Sequence, residues 1–231
     1  MLAARRQTVK PKIIDRMDYI LNLCRGKRVL HLGCANFPFT RQELDNGTLV
    51  HAEIEKVAAD LYGIDLSDEA IQLLKMHGYQ NLAAANIEEL EYKNPFGEVD
   101  FDIVLAGEII EHLSNPGAFL DGTKTLLKRP SARLVLTTVN AYCAHRFAFT
   151  LLTGREAVHF DHVYYFSHST LTELLTRHGY EVEEFSFYWA PYVKKVNRPR
   201  RRLLCWFDRF VSAFCPMLGD GVMATCKLRV P

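Results

Sequence analysis

The feature that most constrains the fold of this chain is a repeated alternation of short apolar runs with amphipathic segments. Residues 28–34 form an apolar, β-rich run that ends in a glycine turn, and residues 48–59 have the periodicity of a helix. The same pattern predicts further strands and helices at residues 61–66, 67–78, 82–85, 101–107, 116–128 and 133–139. Because strands that alternate with helices form βαβ units, we expect an α/β fold. The sheet should have seven strands, mostly parallel, with helices on both faces.

Charge and cysteine usage narrow the classes of protein that fit. The 28 Lys and Arg residues nearly balance the 27 Asp and Glu residues, which disfavours nucleic acid as a partner. The six cysteines are scattered without a C-x-x-C pair, a usage typical of a reducing compartment. The N-terminus lacks a secretory apolar core, and Asp208 and Arg209 interrupt the longest apolar stretch, residues 203–218. We therefore expect a soluble, cytoplasmic protein with no transmembrane segment.

Three positions at the predicted strand ends suit a nucleoside-type cofactor, because ligands of open parallel sheets bind at the carboxyl ends of the strands. Gly33 ends the first strand, Asp65 ends the second and suits a ribose diol, and Asn86 follows the third, where it could contact a purine. The first loop reads GCANF over residues 33–37 and has no G-x-G-x-x-G run, so a dinucleotide is disfavoured. A cofactor without phosphates, such as S-adenosylmethionine, is compatible with this loop.

A family resemblance becomes specific when the motifs are taken in order. The chain resembles class I S-adenosylmethionine-dependent methyltransferases in HLGCANF, YGIDLS, NIEEL, FDIVLAGEIIEHLSNPGAFL and LVLTTVNAY. It is most similar to the branch of ubiquinone-type, glycan and natural-product O-methyltransferases, and it departs from the family where Ala35 and Phe37 replace loop glycines. The resemblance implies a Rossmann-like fold and these cofactor contacts: His31, Gly33, Cys34, Ala35, Asp65, Leu66, Asn86, Ile87, Gly107 and Glu108.

We interpret residues 1–231 as a single methyltransferase domain with three parts. Residues 1–26 are an N-terminal helical segment, residues 27–140 the cofactor-binding half, and residues 141–231 an acceptor-binding lid that completes the sheet. The implied enzyme transfers a methyl group from S-adenosylmethionine to a hydroxyl of a small-molecule or glycan-type acceptor. A non-catalytic cofactor-binding protein on the same scaffold is an alternative, because a fold does not determine a function.

The motif EIIEH, residues 108–112, carries the candidate catalytic groups. If it begins a helix, Glu108, Glu111 and His112 lie on one face, three and four residues apart. His112, with its pKa tuned by Glu111, could then act as general base on a hydroxyl. Alternatively, the carboxylates and the imidazole could bind a divalent cation such as Mg²⁺, Mn²⁺ or Zn²⁺.

A second resemblance bears on the cation. EIIEH and the downstream FDHVYYF, residues 160–166, are similar to elements of small-RNA 3′-terminal 2′-O-methyltransferases. That resemblance implies a metal site of Glu108, Glu111, His112 and His162, and with it an alternative function, metal-dependent methylation of a terminal RNA ribose. In the other interpretation, the two glutamates cap a helix and touch the methionine moiety, while His162 orders a loop.

The second half of the chain supplies weaker candidates for acceptor binding. They are Asn140, Tyr142, His145, Tyr164 and Tyr165, each of which could equally be structural. Residues 194–218 are basic and then amphipathic, which allows contact with an anionic acceptor or peripheral contact with a membrane surface. A solvated loop leading into a helix packed on the sheet is the preferred interpretation of that segment.

Overall fold

The computed structural model describes residues 12–189 and 199–229. In these ranges the strands are β1 (Ile13–Ile14), β2 (Arg28–Leu32), β3 (Asp60–Asp65), β4 (Leu82–Ala84), β5 (Ile103–Gly107), β6 (Arg133–Val139), β7 (Tyr180–Tyr188) and β8 (Gly221–Leu228). The α-helices are α1 (Arg16–Cys24), α2 (Thr40–Asn46), α3 (Val50–Glu55), α4 (Asp68–Met76), α5 (Pro116–Lys124), α6 (Ala144–Thr153), α7 (His168–Arg177) and α8 (Pro199–Phe214). Short 3₁₀ turns lie at Ile87–Glu89, Ile110–His112 and Pro216–Leu218.

The strands form one sheet in the order β1-β7-β8-β6-β5-β2-β3-β4. Every pairing is parallel except those of β8, which runs antiparallel to both β6 and β7. The predicted Rossmann-like, mostly parallel sheet is confirmed, but it has eight strands in the described ranges and not seven. The extra strand, β1, pairs with the end of β7 through only two residues, which is too short a run for a periodic pattern to reveal.

Alternate residues of the central strands pack on opposite faces of the sheet. Leu30 and Leu32 of β2 belong to a core that includes Phe119 of α5. Val29, one residue earlier, belongs to a second core that includes Ile20 of α1. Each fully buried side chain of this kind contributes about 1.5–3 kcal/mol of transfer free energy. Helices therefore cover both faces, as predicted, and hold the carboxyl ends of the strands at one edge.

Two predicted helices differ from the observed ones. The segment predicted as one helix over residues 48–59 contains only α3, and the separate α2 precedes it. Gly47 ends α2 in a left-handed conformation with φ of 60°, so the chain turns before α3 begins. The EIIEH motif does not begin an α-helix, because Glu108 has a φ of 53° and only the 3₁₀ turn Ile110–His112 follows. The condition under which its three polar residues would share one helix face is therefore not met.

The N-terminal helix begins beside the carboxyl edge of the sheet. Asp15 caps α1 by accepting hydrogen bonds from the backbone N–H groups of Met17 and Asp18. Arg16 is the first residue of α1 and lies close to the end of β6, where its Nε donates to Thr137 Oγ1 at 3.2 Å. Among the described residues, we find no helix with the length and apolarity that a bilayer crossing needs.

Candidate active site

The loop after β2 is folded around a buried carboxylate. Asp65, at the end of β3 and only 8% exposed, accepts a hydrogen bond from the Ala35 backbone N–H at 2.9 Å on Oδ2. Its Oδ1 accepts another from the Ser67 N–H at 3.1 Å. A carboxylate offers about four lone-pair sites, so further acceptor capacity remains for hydroxyl donors such as a ribose diol. The predicted neighbours Gly33 and Asp65 are therefore brought together at one edge.

Gly33 has a close neighbour as well as an unusual backbone conformation. Its φ is +72°, and a methyl group added to it would lie 2.5 Å from Ile109 Cδ1. We expect Gly33→Ala to lower the free energy of unfolding by about 0.5–1.5 kcal/mol more than Gly26→Ala does, because the Ile109 side chain must leave its rotamer. Gly26 has a similar φ of +66° but open space around it, so it shares the backbone strain without the clash. Urea unfolding followed by circular dichroism measures both values, and equal losses would contradict the role given to Ile109.

Several predicted cofactor residues are buried beneath this loop. His31 is 4% exposed, and its Nδ1 lies 3.3 Å from Nδ1 of the buried His51. Burial, followed by the proximity of His51, holds the pKa of His31 well below its ordinary value. Burial also raises the pKa of the Cys34 thiol, which belongs to a buried apolar cluster. The side chains of His31 and Cys34, like the fully buried Ala35, are therefore packed inside the protein.

The other predicted cofactor residues lie around the ends of β3 and β4. Leu66, directly after Asp65, is 75% exposed and offers an apolar surface. The Asn86 side chain caps the following 3₁₀ turn by accepting from the Glu88 N–H, and Asn86 lines a pocket of about 540 Å³ with Tyr92. Ile87 is buried in the core, so only its backbone is available to a ligand.

Arg16 is a site residue that the sequence analysis missed. One of its terminal nitrogens, Nη2, lies 3.0 Å from the position that a Cβ on Gly107 would occupy. The guanidinium also lies 5.7 Å from the ring centroid of Tyr188. The positively charged guanidinium of Arg16 therefore lies beside the end of β5, where Gly107 has no side chain to exclude it. No local pattern could reveal this contact, because 91 positions of sequence separate Arg16 from Gly107.

Glu108 points toward β7 and not toward the histidines. Its carboxylate accepts a hydrogen bond from the hydroxyl of Tyr188, which also donates to the Thr138 carbonyl at 3.1 Å. Burial, and next the charge of Glu108, raise the pKa of Tyr188 well above its ordinary value, so this buried hydroxyl acts as a donor. Tyr188, like Arg16, was not among the predicted residues.

Glu111, three residues after Glu108, is fully buried. Its Oε2 accepts a hydrogen bond from Thr138 Oγ1 at 2.8 Å, while its buried Oε1 has no partner among the described residues. Burial, followed by the charge of Glu108, raises the pKa of Glu111. An acceptor atom without a donor is costly in a protein interior, so the unpaired oxygen indicates a site for an additional ligand.

Two backbone hydrogen bonds bring the second predicted motif to the first. The N–H groups of Val163 and Tyr164 donate to the Glu111 carbonyl at 2.8 and 3.1 Å. As a result, the rings of His112 and His162 lie 4.7 Å apart, centroid to centroid. Burial, and next the neighbouring imidazoles His112 and His159, lower the pKa of His162 to about 4, so its ring is neutral near pH 7.

The orientation of His112 is determined by Asp161. Its Nδ1 lies 3.1 Å from both the carbonyl oxygen and Oδ2 of Asp161. Both atoms are acceptors, so Nδ1 must carry the proton, and Nε2 of the neutral ring is then the acceptor. This is the tautomer that a general base needs.

The predicted metal ligands are partly brought together. One ligand atom each from Glu111, His112 and His162 lie within 4.8 Å of one another. A mixed oxygen and nitrogen set of this kind suits Zn²⁺ or Mn²⁺ and can accept Mg²⁺. The carboxylate of Glu108, the fourth predicted ligand, is engaged by Tyr188 but remains close enough to influence the pKa of both Glu111 and His162.

Two of the predicted acceptor residues have structural contacts. The Asn140 amide is 1% exposed and donates to the carbonyls of Met217 and Gly219 at 2.8 and 2.7 Å. His145 Nδ1 lies 2.5 Å from Asp208 Oδ2, which ties α6 to α8. Burial lowers the pKa of His145, but the hydrogen bonds to Asp208 and Cys143 outweigh that effect and raise it to about 10.

The predicted tyrosines lie nearer the histidines. Tyr165 has its ring 5.6 Å from that of His162. Tyr164, 37% exposed, has its hydroxyl 3.4 Å from the Ser114 carbonyl. Tyr142 is 62% exposed between β6 and α6. Tyr164 and Tyr165 therefore border the His112 side of the site, and Tyr142 lies beside Asn140 on the outer surface.

A sheet of this order, with ligand groups at the carboxyl ends of its parallel strands, is the architecture of S-adenosylmethionine-dependent methyltransferases. One such enzyme, from Archaeoglobus fulgidus, superposes with a TM-score of 0.57 at 15% identity, covering 92% of this chain and 91% of that one. Another, from Mesorhizobium loti, gives a TM-score of 0.56 at 15% identity over 91% and 95% of the two chains. These similarities establish the fold.

The chain belongs to the methyltransferase-domain family, whose model matches residues 3–184. Among curated proteins, the ubiquinone biosynthesis O-methyltransferase of Dechloromonas aromatica is 31% identical over 137 residues, 57% of this chain and 52% of that protein. The enzyme of the same name from Paraburkholderia phymatum is 29% identical over 117 residues, 50% of this chain and 45% of that protein. The chain thus spans about half the length of the curated relatives it matches.

Proposed function

We propose that this protein transfers the methyl group of S-adenosylmethionine to a hydroxyl group of a small-molecule acceptor. The observation that carries the proposal is the position of His112, oriented by Asp161, at the same sheet edge as the loop that Asp65 organises. The names of the curated relatives support a small molecule over a terminal RNA ribose as the acceptor. The same names favour catalysis over the non-catalytic alternative. The cytoplasmic location is a proposal that rests on the sequence alone. The same is true of the division at residue 140 between a cofactor-binding half and an acceptor-binding part.

The residues at the strand ends fit this cofactor. Asp65 has acceptor capacity for the ribose hydroxyls, the exposed Leu66 beside it would cover the purine, and Asn86 would contact the purine edge. Gly33 allows the close approach of backbone that a side chain would block. We propose that Arg16 binds the cofactor carboxylate, because its guanidinium lies beside Gly107 at the same edge. When bound, S-adenosylmethionine supplies a methyl group on a sulfonium leaving group.

His112 is the proposed general base. Its protonated Nδ1 faces Asp161, so Nε2 is available to take the proton of an acceptor hydroxyl. The carboxylate of Asp161 also stabilises the imidazolium that this step forms. The surrounding aromatic rings of Tyr164 and Tyr165 provide an apolar border to the place where the acceptor would bind.

We also propose that Glu111, His112 and His162 can hold a divalent cation. The buried Oε1 of Glu111 and the buried Nδ1 of His162 have no hydrogen-bond partner among the described residues, as expected of atoms that await a ligand. A cation held there would lower the pKa of an acceptor hydroxyl and so favour its deprotonation. Without a cation, His112 would remove this proton as the general base.

Titration calorimetry with S-adenosylhomocysteine, before and after chelator treatment, tests both parts. We expect binding with or without metal, because none of the proposed cofactor contacts belongs to the cluster of Glu111, His112 and His162. A separate isotherm with Zn²⁺, Mn²⁺ or Mg²⁺ that disappears in His162→Ala would support the cation site. The matched control is His77→Ala, since His77 is exposed at the end of α4.

The titration can overturn the methyltransferase proposal and the cation proposal independently of each other. If S-adenosylhomocysteine does not bind to the folded protein in any condition, the methyltransferase proposal is overturned. If it binds but no metal isotherm is seen, the cation proposal is overturned, and deprotonation rests on His112 alone.

A further inference from the structure

In residues 206–214, the part of α8 whose side chains are described, two polar side chains face inward. Asp208 is 7% exposed and bonds to the His145 ring, and Ser212 is fully buried and accepts from Trp189 Nε1 at 2.6 Å. The opposite side carries Trp206 and Phe210, which are 66% and 52% exposed. An amphipathic helix normally packs its apolar side on the core. Residues 206–214 have the inverted orientation, which leaves an apolar surface without a partner in the described part of the chain.

The exposed side chains of α8 form a continuous row. Trp206, Phe210 and Phe214 follow one another at intervals of four residues, and Phe214 is 78% exposed. The ring centroids of Trp206 and Phe210 lie 5.7 Å apart, and those of Phe210 and Phe214 lie 5.2 Å apart. Exposed aromatic rows of this size mark interaction surfaces and not ordinary solvated helix faces.

Helix α6 lies next to this row, because it packs against α8 through the contact of His145 with Asp208. Its exposed side chains include Phe147, Leu151 and Leu152, at 72%, 74% and 83%. We use the name apolar surface for these three residues together with Trp206, Phe210 and Phe214. The surface therefore involves two neighbouring helices, and it extends beyond the segment 194–218 that the sequence indicated, of which residues 194–198 lie outside the described ranges.

Positive charge precedes the exposed aromatic residues of α8 in the sequence. The stretch of residues 185–207 contains no Asp or Glu and six basic residues: Lys194, Lys195, Arg198, Arg200, Arg201 and Arg202. Within α8, the exposed Arg209 lies 4.9 Å above the ring of Trp189. Because like charges repel, this charge disfavours a second copy of the chain as the partner and favours an anionic surface.

We propose that the apolar surface binds the interface of a lipid bilayer that contains anionic headgroups. The aromatic rings would enter the boundary between headgroups and acyl chains, and the positive charge of the neighbouring sequence would strengthen binding to the lipid phosphates. This inference is independent of the methyl-transfer proposal, since it uses none of the residues assigned to the cofactor or to catalysis. It replaces the preferred sequence interpretation, a solvated loop leading into a helix packed on the sheet.

Tryptophan fluorescence provides a direct test. The chain has two tryptophans, so Trp189→Phe leaves Trp206 as the only reporter. With vesicles of phosphatidylcholine and phosphatidylglycerol, we expect the emission of Trp206 to shift to the blue. The protein should also sediment with these vesicles, and raising the salt concentration should weaken the binding because the lipid charge is screened. Pure phosphatidylcholine vesicles should bind it less well.

A variant pair makes the test specific. We expect Phe210→Ser with Phe214→Ser to lower vesicle affinity by about tenfold or more, because two exposed rings no longer leave water. Met76→Ser is the control, since Met76 is 75% exposed on α4, outside the apolar surface. Absence of vesicle binding, or equal binding by the double variant, would overturn the proposal. Light scattering tests the alternative partner. A dimer of the unsubstituted protein that dissociates in the double variant would assign the apolar surface to a second copy of the chain.

Discussion

Replacing His112 by glutamine is expected to lower kcat for methyl transfer about 100- to 10,000-fold, the range that positioned acid–base groups contribute. Glutamine keeps a polar side chain of similar length but has no basic ring nitrogen. The affinity for S-adenosylhomocysteine should stay unchanged, because the proposed cofactor contacts do not include His112. A methyl-transfer assay with radiolabelled S-adenosylmethionine and a panel of phenolic acceptors, combined with calorimetry, separates the two quantities.

The control for this prediction is His77→Gln, an exposed histidine whose Nδ1 lies 2.9 Å from the Leu73 carbonyl at the end of α4. It should keep full activity, because it lies outside the described site. If His112→Gln retains most of the wild-type kcat, His112 is neither a base nor a cation ligand that the reaction needs. A loss of cofactor affinity in this variant would instead place His112 among the groups that contact the cofactor.

Asp65→Asn is expected to raise the dissociation constant for S-adenosylhomocysteine about 10- to 100-fold. The substitution removes the negative charge and replaces one acceptor oxygen with a donor, so either the Ala35 N–H or the ribose loses its partner. Hydrogen bonds to charged groups contribute about 1.5–3 kcal/mol each, which sets this range. Calorimetric titration of the purified variant measures the change directly.

Asp60→Asn is the matched control for the cofactor prediction. Asp60 begins the strand that Asp65 ends, and it forms an exposed ion pair with Arg28 at 2.9 Å, away from the ligand edge. Exposed pairs contribute about 0–1 kcal/mol, so this variant should keep its stability and its cofactor affinity. Unchanged affinity in Asp65→Asn would contradict the ribose contact and would leave the carboxylate with only its role in the loop.

The two parts of the site differ in how far local sequence indicated them. Gly33 and Asp65 each end an apolar run, and parallel strands place such ends at one edge, so their proximity could be predicted. No comparable local rule excludes a helix at residues 108–112, because the left-handed conformation of Glu108 depends on its tertiary contacts. The proximity of Glu111, His112 and His162 was implied by a resemblance, whereas the backbone hydrogen bonds that produce it are visible only in the structure.

The sequence by itself determined the α/β class, the positions of the main strands along the chain and the edge where the cofactor loop lies. Its information is local: apolar periodicity and turn residues act over a few positions, and each strand end follows from its own neighbours. Only the tertiary structure placed Arg16 beside Gly107, Tyr188 on Glu108 and Asp161 on His112, and only it showed that α8 turns its aromatic side outward. These contacts join distant segments, and their geometry depends on how helices and strands pack, which no local pattern encodes.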